Sequence, residues 1–122
     1  MNDSEQLNTL LAEQHYMTIA VTLDDGTPWA TPVRIKTWEG KAFEWESKTN
    51  TEHSKAIAKR PDIAISLWTP EGEGTIQFGF YAHATAEQIS EPNDYGISRY
   101  RATVNKCFIN DASFVKREVE LG

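Results

Sequence analysis

The chain has 122 residues, 39% hydrophobic and 25% charged, which is the balance of one ordinary globular domain rather than a disordered segment. A net charge of −6 argues against nucleic acid as a partner, since phosphate neutralisation calls for a basic stripe, and against an anionic membrane surface. No apolar run approaches the roughly 20 residues of a membrane helix.

The opening "MNDSEQLNTLL" is acidic and polar, without the basic-then-apolar order of a signal peptide, so a cytoplasmic protein is expected. From Ser4 to Gln14, Leu7, Leu10 and Leu11 recur at i, i+3, i+4 behind Asp3 or Ser4, which predicts a short amphipathic helix. "YMTIAVTL" is β-branched and aromatic and ends at "DDGT", a strand followed by a hairpin turn. "PWATPVRIKTW" is the second strand, with Pro32 marking an edge, a bulge or a stop in regular pairing. "KAFEWES" follows the turn "EG" as the third strand, with Phe43, Trp45 and Ser47 on one face.

"EHSKAIAKRP" predicts a short helix capped by Thr51 and stopped by Pro61. "DIAISLW" is apolar almost throughout, as a strand buried on both faces would be. "PEGEG" is a loop, and "TIQFGFYAHATAEQIS" is a long strand with Gly79 at a bend or bulge. "EPNDYGISRYRATV" reads as a helix after Pro92, weakened by Gly96, and "SFVKREVEL" alternates as a final strand. Tight turns between successive strands imply antiparallel hairpins. The expected fold is mainly β (α+β): a small antiparallel barrel of about six strands with short flanking helices, one domain over 1–122.

Chemistry-bearing residues are sparse. Cys107 is the single cysteine, without an acid–base neighbour in sequence, and no Cys/His pair has metal-ligand spacing. His15, His53 and His83 form no constellation, and there is no Ser-His-Asp logic. One local conflict stands out. A base at a helix start opposes the macrodipole, yet Lys55 sits in the first turn behind "SKTNTEHS", while Glu52 obeys the rule. Either an anion sits there or the lysine points into water.

The order and spacing of these features resemble the pyridoxamine 5'-phosphate oxidase-like split β-barrels that bind FMN. The matching residues are Asp25-Gly26, Pro32-Val33-Arg34, Glu39-Gly40, Ser47, Ser54-Lys55, Pro61 and "IAISLW", covering about two thirds of the chain strongly. The resemblance implies a small split barrel, working as a homodimer with FMN at the subunit interface and a small-molecule substrate against the exposed flavin face. It places the second-strand motif on Thr31 to Lys36, with backbone near Val33 and Arg34 at the ring edge and Lys36 as its basic member. It makes Ser47 a hydroxyl contact, Ser54 and Lys55 the phosphate clamp, and Gln77 a contact from the partner subunit. Lys55 and bare amides near Thr51 to Ser54 would then form an anion site.

Two departures qualify this. Thr31 and Ser54 stand where the fullest family motif has arginines, which thins the positive charge around the phosphate. The chain also stops at Gly122, with nothing matching the C-terminal arginine and histidine that hold substrate in authentic pyridoxamine phosphate oxidases; a true vitamin B6 enzyme is not expected. The rival expectation is a non-catalytic module on the same barrel, holding haem, a deazaflavin or another small ligand. Plainer roles remain open for individual residues: cross-strand ion pairs for Arg34 and Lys36 with Glu39, Glu44 and Glu46, and core packing for most tryptophans, with Trp45 alone placed near the cofactor.

Overall fold

In the computed structural model, residues 3–69, 78–111, 113 and 115–121 are described. The elements are α1 (Asp3–Glu13), β1 (Tyr16–Thr22), β2 (Pro28–Arg34), β3 (Thr37–Glu39), β4 (Ala42–Lys48), α2 (Glu52–Lys59), β5 (Asp62–Trp68), β6 (Phe78–Gln88), β7 (Ile97–Asp111) and β8 (Arg117–Val119). The expected loop "PEGEG", the first residues of the expected long strand (75–77, including Gln77) and Phe114 lie outside the described residues.

Local chemistry explains most boundaries. Asp25 accepts hydrogen bonds from the Thr27 amide at 3.0 Å and its hydroxyl at 2.6 Å, and Gly26 adopts φ 85°, so the β1–β2 turn closes on itself. Thr51 is extended at φ −72°, ψ 158° and accepts from the Ser54 amide, which fixes it as the cap of α2. Pro61 follows that helix, as expected.

Among the described residues all pairings are antiparallel, and eight strands run β2-β1-β5-β6-β7-β4-β3, with β8 on β7. The two ends of this path are one stretch of chain. The expected second strand breaks at Ile35 and Lys36: its first half pairs with β1 as β2, and its second half pairs with β4 as β3. The sheet therefore curls back on itself but is left open between β2 and the end of β4, a split barrel.

Alternation decides what faces inward. Met17, Ile19 and Val21 of β1, Phe43 and Trp45 of β4, and Ile63, Ile65 and Leu67 of β5 fill the interior. Phe43 lies between Trp38 and Phe80, with ring centroids 6.4 and 6.3 Å away. Such aromatic contacts add to the burial of large apolar area. Leu7, Leu10 and Leu11 of α1 join this core, and Arg117 of β8 donates to the Asp3 carboxylate at 2.9 Å, tying the helix start to the last strand.

Three expectations are corrected. The segment expected as a helix after Pro92 is the strand β7. Asn93 captures the amides of Tyr95 and Ile97 through its side chain, and Gly96 adopts φ 77°, so a turn forms where a helix start was read. Beyond that turn, Ser98, Tyr100, Ala102 and Val104 face inward in strict alternation. The irregularity expected at Gly79 lies instead between His83 and Ala84, where Asn105 is left without a partner in the β6–β7 register. Gly79 keeps its register; a β-carbon there would come within 2.5 Å of Asn110 Oδ1, the acceptor of the Tyr81 hydroxyl. Finally, β5 buries one face only, leaving Ala64 and Trp68 exposed.

Candidate functional site

The split is the place to look for a ligand, because β2 stops pairing there while its backbone groups remain. Ile35 donates its amide to His15 of the β1 side at 2.8 Å, and Lys36 donates to Glu44 of β4 at 2.8 Å. Successive residues of a strand point their backbone groups to opposite sides, so Arg34 turns its amide and carbonyl away from β1, into the split. Pro32 shares that orientation, and its missing N–H leaves no donor unpaired. The strand interruption and the proline thus have one cause.

Across the split lie the end of β4 and the first turn of α2. Ser47 Oγ and His53 Nε2 are 3.0 Å apart, with Thr51 Oγ1 3.4 Å from the same nitrogen. Thr51 and Ser54 hydroxyls are hydrogen-bonded at 2.7 Å, and the Ser54 amide donates to Thr51 Oγ1 at 3.2 Å. His53 is only 9% exposed and Ser54 3%, and burial pushes the imidazole pKa below its ordinary value. Among the described residues the amides of Glu52 and His53 are the open donors of this turn, since Ser54 and Lys55 donate to Thr51.

Lys55 resolves its conflict with the helix dipole partly through Glu52, whose carboxylate is 3.3 Å from its ammonium. Both side chains are more than half exposed. Lys36 is paired with Glu46 at 3.7 Å, and Arg34 lies over the Tyr16 ring at 5.8 Å. The cross-strand alternative for Lys36 is therefore realised, while Arg34 meets an aromatic ring instead of a carboxylate. A cavity of about 500 Å³ opens beside α2, lined by Ser54, Lys55, Thr49, Gln88 and Asp24 of the β1–β2 turn. Arg60 and Lys59 also line it, but both are bound to Asp24, at 2.7 and 3.2 Å.

Of the residues singled out from sequence, Lys36 and Ser47 border the split, and Ser54 and Lys55 lie at the adjoining turn. Thr31 and Val33 pair with Ile19 and Met17 on the side facing the barrel interior, and Gln77 lies outside the described residues. Trp45, expected near the cofactor, is fully buried and stacked on Tyr100 at 5.8 Å. Its indole Nε1 is buried without a partner among the described residues. Cys107 packs, with its thiol donating to the Val119 carbonyl at 3.1 Å. His53, which joins no constellation in the sequence, reaches back six residues to Ser47. No sequence spacing signals that contact, because it depends on how α2 docks on β4.

This donor set fits a phosphate monoester. The open amides of Glu52 and His53 and the Lys55 ammonium suit an anion, and the exposed Lys55–Glu52 pair contributes only about 0–1 kcal/mol, while Asp24, Asp25 and Glu52 also line the cavity. The chain carries no cluster of metal-ligating side chains among the described residues, and no described helix is long and apolar enough to cross a membrane.

Comparison with known proteins gives the fold its context. The family model described as pyridoxamine 5'-phosphate oxidase matches residues 4–120. A pyridoxine/pyridoxamine 5'-phosphate oxidase from Trichormus variabilis is 28% identical over 95 residues, covering 78% of this chain and 44% of that protein. The match thus spans less than half of the relative's length. Among solved structures, a haem-binding protein from Mycobacterium smegmatis superposes with a TM-score of 0.80 at 17% identity, over 98% of this chain and 58% of that one. A FAD-binding protein from Mesorhizobium loti gives 0.73 at 11% identity, over 91% of this chain and 96% of that one. At such identities these structures attest the fold alone. The chain belongs to the pyridoxamine 5'-phosphate oxidase family.

Proposed function

We propose that the chain is an FMN-binding flavoprotein, an oxidoreductase acting on a small molecule as a homodimer. One observation carries the reading: the first turn of α2, with the open amides of Glu52 and His53, carries Ser54 and Lys55 on the wall of the cavity and is joined to the end of β4 by the Ser47–His53 contact at 3.0 Å, while Lys36 lies where β2 parts from β4. These residues would hold and orient the phosphate end, with Lys36 and Lys55 supplying charge and the amides supplying direction. Bound flavin would supply hydride or electron transfer, so the protein needs no dedicated acid–base pair of its own.

The dimer reading rests on the outer face of β1, β2, β5 and β6. Thr18, Ala20, Ala30, Ala64 and Ser66 make a floor of small residues there, and Tyr16 and Trp68 stand on it 57% and 59% exposed. A depression of about 210 Å³ lies on this face, bordered by Tyr81, His83, Phe108 and Lys116. A face with few charges and large exposed aromatics has the composition of a buried isologous contact.

A second reading, a non-catalytic module for haem or a deazaflavin, is favoured by Thr31 and Ser54, which leave Arg60, bound to Asp24, as the guanidinium on the cavity wall. Absorption decides between them. FMN uptake with the visible bands of a flavin supports the first, and a Soret band with no FMN uptake supports the second. Failure to take up FMN at micromolar concentration overturns the flavoprotein reading. Lys55→Ala should weaken FMN binding by roughly 1–3 kcal/mol, read from flavin fluorescence quenching; an unchanged dissociation constant would return that lysine to solvent.

A further inference from the structure

We propose that His53 is a positioning residue: as a neutral imidazole it pins the first turn of α2 to the end of β4, and charging the ring releases that turn and loosens the hold on an anionic ligand. The ligand in this statement is the phosphate of the reading above; the latch itself belongs to the chain alone.

The geometry supplies the latch. His53 is the second residue of α2, and its Nε2 meets Ser47 Oγ on β4 at 3.0 Å. It does not line the cavity that Ser54 and Lys55 border, so it stands behind the binding turn rather than in it. A neutral ring satisfies Ser47 either as acceptor or as donor, with one ring nitrogen. A charged ring can only donate, so it loses the acceptor option toward Ser47, and it places a cation in a buried position at the positive end of a helix.

The surrounding charges do not offset that cost. On β4, Glu46 and Lys48 flank Ser47 but are exposed, and Glu46 faces Lys36. On α2, Glu52 is paired with Lys55; of the strands it packs on, β1 carries no charged residue and the His83 and Glu87 side chains of β6 are exposed; on β7, Arg99 is held by Glu44 at 2.8 Å. No carboxylate among the described residues forms an ion pair with the ring, and burial is the influence that lowers its proton affinity. The sign follows. The unfolded or released segment takes up a proton near the ordinary value of 6.5, the docked ring only at lower pH, so acidification favours release.

The test compares FMN affinity from about pH 8 to about pH 5.5 in the unmodified chain, His53→Gln and Ser47→Ala. Glutamine keeps a polar nitrogen near the Nε2 position but takes no charge. The unmodified chain should lose roughly fivefold or more affinity beyond the loss seen in His53→Gln, whose remaining slope reports protonation of the phosphate itself. Ser47→Ala should bind more weakly at both ends of the range. Parallel profiles for the unmodified chain and His53→Gln overturn the proposal. If no variant binds FMN at any pH, the flavin reading fails separately, and NMR of the ligand-free protein decides the latch, as it does if His53→Gln does not fold. Amide exchange in the first turn of α2 should quicken as the His53 ring titrates; exchange indifferent to that titration overturns the latch.

Discussion

The barrel presents two outer surfaces built on the same inward pattern. On β3, β4 and β7 the outward positions are charged and mutually bound: Glu44 accepts from Arg99 at 2.8 Å and Arg101 at 3.0 Å, Arg99 also reaches Thr37, and Lys36 faces Glu46. On β1, β2, β5 and β6 the outward positions are mostly alanine, threonine, serine, proline and aromatic residues, with His83 on β6 and Arg34, Asp62 and Glu87 toward strand ends. Inward, both halves bury large apolar side chains. The hydrophobic effect that closes the barrel is therefore blind to the difference, which is what the proposed self-association rests on. The candidate site lies on the boundary, where β2 of the neutral half parts from β4 of the charged half.

The inward pattern can be broken first, with the largest effect. Phe43→Ala, on the charged half, should cost about 3–5 kcal/mol, and Ile19→Ala, on the neutral half, about 2–5 kcal/mol, by denaturant melts. A small loss at either position would mean the two halves do not share one core.

The outward difference is sharpened by Ala64→Arg, placed opposite Ala20 at the centre of the neutral face. Burying an unpaired charge there should weaken self-association by about 3 kcal/mol or more, seen as monomer in sedimentation, with monomer stability changed by only about 0.5 kcal/mol. Unchanged sedimentation as a dimer would move the contact to another face, and a monomeric unmodified chain would remove it.

On the charged half a change of charge should matter less. Glu44→Gln should destabilise by about 1 kcal/mol and leave association unchanged, since the carboxylate is held at the surface. Hydrogen bonds from Arg99 and then Arg101 hold the Glu44 pKa below the ordinary 4.5. Its contribution is present above that value and is lost as pH falls through the lower folded-state value. The acid limb of the stability curve should therefore be shallower in Glu44→Gln; identical limbs would show that the carboxylate is free in solution.

Some of the site was legible from residues alone. Thr51 caps and Pro61 stops α2 because both act within one helical turn, and Asp25-Gly26 closes its hairpin for the same reason. Ser47 was found on the inward-facing register of β4 because strands alternate. The turn at Asn93–Gly96 was also written locally, in an asparagine and a glycine, but a helical reading of the residues beyond Pro92 masked it. Arg99 to Val104 alternates polar and apolar residues, and that period is what the strand obeys.

The sequence by itself determined the turns, the caps, the two periodicities and hence a small antiparallel barrel, because these are set by backbone dihedrals and side chains within a few residues. Tertiary structure alone decided that the second strand divides between β1 and β4, that Trp45 is core, and that His53 meets Ser47. It also decided that "DIAISLW" buries one face and leaves the other open. Those outcomes depend on pairing between segments distant along the chain, where many local patterns are compatible and only the closed packing of the whole selects one.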